Sequence, residues 1–176
     1  MLEEELRIAV DAAAKAGAEV LRLRREGLRY GRKGGWELVS EADLRAAEIL
    51  YDALTSKFPN DGWLSEEHVD NADRLQRERV WIVDPIDGTR EYLQGIPEYA
   101  ISVGLVINGK PVLGVVHNPA TGEMHAATCV EAKERAELIV PGRTHDVLVG
   151  RGEHQWSEEP QLPAGYRTRG VGRVAY

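Results

Sequence analysis

Cysteine is nearly absent: Cys129 is the single one in a chain of 176 residues. One thiol excludes an intrachain disulfide and a cysteine-rich zinc site. Long apolar runs are also missing, and no stretch approaches the roughly 20 apolar residues of a membrane helix. The first ten residues are acidic where a secretory leader is basic, and no small-residue cleavage site follows an apolar run. The expectation is a cytoplasmic protein with no membrane partner. Positive charge is in deficit, with a formal net charge of −7. That balance disfavours a nucleic-acid polymer as partner. It leaves room for a small anionic substrate, because a bound cation reverses the local field. The five histidines (His68, His117, His125, His145 and His154) show no close metal-ligand spacing. Internal repeats and low-complexity segments are lacking too.

What remains is a globular composition. Hydrophobic residues make up 43% and charged residues 29%, interspersed rather than in blocks, so a core is affordable and disorder is disfavoured. The length suits one domain, or one domain and part of a second. Residues 2–26 carry apolar positions at three- and four-residue spacing, which predicts an amphipathic helix ended by Gly27. A loop with Gly31, Gly34 and Gly35 should follow. Ser40 and Asp43 form a Ser-x-x-Asp pattern, close to a capping box, at the start of a second helix. The tetrad Pro59-Asn60-Asp61-Gly62 comes after its last apolar position.

From there the period changes. Trp63-Leu64 and Val80 to Val83 read as strands, and Tyr99 to Ile107 and Pro111 to His117 flank Asn108-Gly109, a strong hairpin signal. Met124 to Val130 should add a strand, 131–139 a short helix, and Asp146 to Gly150 one more strand. Two helices followed by a meander predict an α+β fold, with two N-terminal helices packed on an antiparallel sheet. The expected division is a domain over 1–150 and the beginning of a second over 151–176.

The most informative segment is Asp84-Pro85-Ile86-Asp87-Gly88-Thr89. An apolar strand ends, and two carboxylates three positions apart follow at once. Pro85 fixes its own φ, Gly88 permits a close turn, and Thr89 can open a helix. Such a turn aims both carboxylates into one space beside helix-start amides. Mg²⁺ takes carboxylate and carbonyl oxygens, and helix-start amides suit a phosphate oxyanion. Read alone, the string is also an ordinary turn, since Asp-Pro and Asp-Gly are common turn dipeptides. Glu66 and Glu67, read alone, are a solvated pair. Asp43, read alone, is a cap. His117 and His125 read as satisfied core histidines, Cys129 as packing and Trp81 as core. Arg167, Arg169 and Arg173 are either a solvated tail or partners for a second phosphate.

Taken together, Leu38 to Asp43, Leu64-Ser65-Glu66-Glu67, Trp81 to Thr89 and Gly114 to Pro119 resemble the magnesium-dependent, lithium-sensitive phosphomonoesterases of the inositol monophosphatase superfamily. The resemblance implies the N-terminal half of a sugar-phosphatase-type layered αβ fold and a site of two or three Mg²⁺ ions that Li⁺ inhibits. Glu66, Asp84 and the Ile86 carbonyl match ligands of the first ion. Asp84 matches the bridge to a second ion, which Asp87 binds, and Glu66 would help hold a third. Asp43 and Thr89 match the pair that activates the attacking water. The Gly88 and Thr89 amides match the phosphate cradle, and Glu67 an acidic accessory neighbour. Thr89-Arg90-Glu91-Tyr92 and Leu64-Ser65 look like the branch that hydrolyses 3′(2′),5′-bisphosphonucleotides, with inositol phosphate as the alternative substrate.

The family pattern also contains a Trp-Asp motif, whose Asp completes the second metal site. No Trp-Asp dipeptide occurs here: Trp36, Trp63, Trp81 and Trp156 precede Glu, Leu, Ile and Ser. The expectation is therefore a chain that holds the metal-binding half and a stub of the rest. A shortened chain, a natural short form and half of a split protein are all open. An alternative of another class follows: a catalytically impaired metal- or phosphate-binding fragment that needs its other half. A sheet edge or apolar face left uncovered would favour a homodimer.

Overall fold

In a computed structural model of the chain, residues 2–27, 29–33, 37–128, 145–150 and 166–171 are described. The elements in order are α1 (Glu3–Glu26), β1 (Tyr30–Lys33), β2 (Glu37–Ser40), α2 (Glu41–Thr55), β3 (Gly62–Ser65), a 3-10 turn (Ala72–Gln76), β4 (Arg79–Asp87), α3 (Thr89–Gln94), β5 (Ala100–Ile107), β6 (Lys110–Asn118), β7 (Glu123–Thr128), β8 (His145–Gly150) and β9 (Tyr166–Val171).

The α+β class is as read from the sequence. The five-stranded sheet has the order β3-β4-β5-β6-β7. Its β4 to β7 portion is the expected antiparallel meander, while β3 at the edge runs parallel to β4. The chain passes from β3 to β4 through the 3-10 turn, a crossover that brings β4 in from the same end. Asn108 and Gly109 turn the β5–β6 hairpin with φ of 51° and 74°, the positive pair that a type I′ turn demands.

Both long helices lie on one face of this sheet. The inward face of α1 is small (Ala9, Ala12, Ala13, Ala16 and Val20), and it meets Ala42, Ala46, Leu50 and Leu54 of α2 in one core with Trp81, Val83, Ile101, Val103, Leu105 and Val115. Alanines bring the two helix backbones close. At Gly17 the approach is closer still, since a Cβ there would sit 2.7 Å from the ring of His117. His117 Nδ1 donates to the Glu123 carbonyl at 2.9 Å, so His117 is the satisfied core histidine that the sequence suggested. His125 is not: it stands exposed on the edge strand β7. Arg79 ties β4 to α1 and to the turn before β3, contacting Glu5 at 3.0 Å and Asp61 at 3.0 Å. Trp81 Nε1 also donates to Asp61, at 3.0 Å.

Two further differences concern strands. The glycine-containing loop after α1 is a short antiparallel pair, β1 with β2. The segment without visible pattern beyond Gly152 supplies β9, which runs parallel to β8 as a separate two-stranded sheet. The short helix expected over 131–139, Cys129, Trp36 and Arg173 lie outside the described residues, as do the side chains of Arg167 and Arg169. Among the described residues no helix is long and apolar enough to cross a membrane.

Candidate metal and phosphate site

Asp43 is the best-held residue of the predicted set. It sits at the third position of α2 and is only 2% exposed. The Ser-x-x-Asp pattern forms a full capping box: Ser40 Oγ accepts from the Asp43 amide, and the Ser40 amide donates to Asp43 Oδ2 at 2.8 Å. Ser40 Oγ lies 2.5 Å from the same oxygen. These bonds leave Oδ1 facing the start of α3, where Thr89 Oγ1 donates to it at 2.8 Å. Thr89 Oγ1 is also 3.1 Å from the Ile86 carbonyl. Side chains 46 positions apart are thereby joined across two elements. Burial pushes the Asp43 carboxyl above its usual range, although the hydrogen bonds from Ser40 and Thr89 pull the other way.

The turn that presents Thr89 depends on Gly88. Its φ is 94°, a left-handed conformation that favours glycine. A Cβ there would lie 2.9 Å from the Glu98 carbonyl and 3.2 Å from Tyr99 Cα. β4 breaks register between Asp84 and Asp87, so the strand bulges where the two carboxylates stand.

Of the predicted acidic residues, Glu66 and Asp84 are brought level by the backbone. Ser65 pairs with Val83 in parallel register, which sets Glu66 level with Asp84, just past the end of β3. Glu66 is exposed, and Glu67, Asp84 and Asp87 are partly buried. Their side chains each have interaction partners. Among the described residues, no group of three or more His, Cys, Asp or Glu side chains is gathered tightly enough to hold a metal ion. Carboxylates repel one another, so they do not cluster on their own account. The group that is brought together is Asp43, Thr89 and the Ile86 carbonyl.

The residues nonetheless fit a hard cation. Glu66, Asp84, Asp87 and the Ile86 carbonyl offer oxygen donors only, the set that Mg²⁺ prefers. Ser65 Oγ, next in sequence to Glu66, and Ser102 Oγ, on the residue paired with Asp84, are buried without a hydrogen-bond partner. Such hydroxyls are the natural partners of a bound water.

A family model for the inositol monophosphatase family matches residues 1–146. The chain belongs to that family. An inositol-1-monophosphatase of Mesorhizobium japonicum is 40% identical over 124 residues, 68% of this chain and 46% of that protein. A histidinol-phosphatase of Chlorobaculum parvum is 37% identical over 124 residues, 70% of this chain and 47% of that protein. The crystal structure of CysQ from Bacteroides thetaiotaomicron, a bacterial member of the inositol monophosphatase family, shares the fold. Its TM-score is 0.70 at 22% identity, covering 97% of this chain and 73% of that one. The chain spans about half the length of the curated relatives it matches. Members of the inositol monophosphatase family are generally Mg²⁺-dependent.

Sequence reasoning missed the residues that hold α3 from behind. Tyr92 is fully buried, and its hydroxyl donates to the Val20 carbonyl at 3.0 Å. Arg24 Nη1 donates to the Tyr92 carbonyl. The contacts join positions 72 and 68 apart, and no local pattern announces them.

Proposed function

We propose that the protein is a Mg²⁺-dependent phosphomonoesterase that uses an activated water. The observation that carries this reading is the Thr89–Asp43 hydrogen bond at the mouth of the acidic turn. Thr89 has one hydroxyl proton, and donating it to Asp43 leaves lone pairs that accept a proton from water. Burial makes Asp43 a stronger proton acceptor than an exposed carboxylate. The water oxygen forms the new bond to phosphorus, the ester P–O bond breaks, and the departing alkoxide takes a proton. The Gly88 and Thr89 amides bind phosphoryl oxygens. Glu66, Asp84, Asp87 and the Ile86 carbonyl would hold two or three Mg²⁺ ions, with Glu67 as an accessory acid. The ions supply charge neutralisation and an acidified water. Residues 1–150 are the metal- and phosphate-binding unit in this reading, with 151–176 the start of a second domain.

The substrate is a small phosphate monoester. The names of the relatives favour inositol phosphate. A second reading, a 3′(2′),5′-bisphosphonucleotide such as 3′-phosphoadenosine 5′-phosphate, is supported by Arg90, exposed one position beyond Thr89 and able to meet a second phosphate. Tyr92, the aromatic of that sequence signature, lies in the core and lends no support.

The test is phosphate release by the purified chain from inositol 1-phosphate, histidinol phosphate and 3′-phosphoadenosine 5′-phosphate, with Mg²⁺, with chelator and with Li⁺. Release that needs Mg²⁺ and is lost in Asp87→Asn supports the enzyme, and the preferred ester decides the substrate. Absence of release beside measurable Mg²⁺ binding supports instead a binding fragment that acts only with the rest of a phosphatase.

A further inference from the structure

α3 is six residues long, too short to hold its own shape in water. Yet it carries Thr89 at its first position, and the Thr89 hydroxyl must stay within reach of Asp43 Oδ1. Something outside the helix therefore sets its orientation. Two contacts from the last turns of α1 do so. The Tyr92 hydroxyl, one turn along from Thr89, donates to the Val20 carbonyl at 3.0 Å. The Arg24 guanidinium lies over the Tyr92 ring, 5.3 Å from its centroid, and donates to the Tyr92 carbonyl at the C-terminal end of α3.

That end is where a short helix has carbonyls without helical partners and a partial negative charge. Gly95 shapes the opening. It caps α3 in the left-handed conformation, with φ 81°, and its amide donates to the same Tyr92 carbonyl at 3.2 Å. A Cβ on Gly95 would lie 2.6 Å from Arg24 Nη2. Glycine thus serves twice, permitting the turn and admitting the guanidinium.

We propose that Arg24 is a positioning residue for the Thr89–Asp43 pair, acting through Tyr92 and α3. α3 is clasped at both ends, by Thr89 to α2 and by Arg24 and Tyr92 to α1, so a change at α1 is transmitted to the Thr89 hydroxyl. The proposal rests on the phosphatase reading for its catalytic consequence and on the clasp geometry alone for its structural one.

The test uses Arg24→Met, which keeps an unbranched stem and removes the donors, and Arg24→Lys, which restores one cationic donor. Gly95→Ala blocks the guanidinium while leaving Arg24 in place. Amide hydrogen exchange is followed for Thr89–Gln94 and, as reference, for the middle of α2. Phosphate release is measured with Mg²⁺ at saturating and limiting substrate. Arg24→Met should speed exchange in α3 about tenfold or more without changing α2, and lower kcat about tenfold with KM within about twofold, as misplacement of a reacting group does. Arg24→Lys should recover part of both, and Gly95→Ala should resemble Arg24→Met. Unchanged α3 exchange, equal acceleration in α2 and α3, or unchanged kcat beside loosened α3 would each overturn the proposal. If the wild-type chain releases no phosphate, the phosphatase reading fails, and the exchange pattern with its lysine rescue still upholds or overturns the clasp.

Discussion

At the scale of single residues, the site rests on one hydroxyl. Thr89→Val keeps the shape of the side chain and deletes its hydrogen bond to Asp43, leaving a buried carboxylate oxygen short of a donor. The expected loss is about 1–3 kcal/mol of stability, read from the urea midpoint. An unchanged midpoint would mean that the bond does not form in solution. Tyr92 makes a second prediction. Burial pushes its hydroxyl from 10.0 up to about 12. A group whose folded pKa is raised contributes stability below its unfolded pKa and loses it as pH rises through the folded one. Wild type should therefore lose more stability than Tyr92→Phe between pH 10 and about 12. At neutral pH the order is reversed, because the variant lacks the bond to Val20, a bond worth about 1 kcal/mol. Denaturant midpoints across that pH range check both statements. The pairing of Asp43 with Thr89 was implied by the family resemblance, whereas the bond from Tyr92 to Val20 was invisible in the sequence. Asp43 was legible because Ser40 announces a cap, and Thr89 because glycine precedes it, but no rule of spacing pairs two residues 46 apart.

Elements were easier to read than contacts. The two long helices, the hairpin at Asn108-Gly109 and the strand that ends at the acidic turn all follow from local periodicity and turn chemistry. The edge strand β3 was read as a strand, but its parallel direction was not, because pairing direction is a property of two segments and of the crossover between them. β1 and β2 were not read as strands, since segments of four residues, Tyr-Gly-Arg-Lys and Glu-Leu-Val-Ser, are too short to carry a detectable alternation. Gly88 belongs to this scale, for it joins β4 to α3. Gly88→Ala should cost about 1–2 kcal/mol from the left-handed backbone, plus the clash with the Glu98 carbonyl. Gly122→Ala is the control: its φ is 76° with nothing within 4 Å of the added Cβ, so it carries the backbone term alone. A lower thermal midpoint for the first variant than for the second would confirm the contact. Equal midpoints would show that the turn relaxes.

At the scale of the whole molecule, the site joins α2, β3, β4 and α3, and metal should tie them together. Mg²⁺ at about 100 times its dissociation constant should stabilise the folded chain by about 2.7 kcal/mol. The melting temperature should rise with Mg²⁺ and fall back with chelator, and Asp84→Asn should blunt the response. A melting curve indifferent to both reagents would count against a metal site. The sequence by itself supplied the groups: carboxylates, glycine and threonine stand at the end of an apolar strand, where the proposed metal and phosphate site would use them, and local propensity specifies the elements that carry them. Only the tertiary structure decided which groups meet. It bonded Thr89 to Asp43, a pair that the resemblance had implied, laid Arg24 and Tyr92 behind them, and ran β3 parallel to β4 so that Glu66 falls level with Asp84. The physical reason is that periodicity and turn signals act over a few residues. A hydrogen bond between distant segments forms only when core packing, here the alanine-lined approach of α1 to α2 over the sheet, fixes where those segments lie.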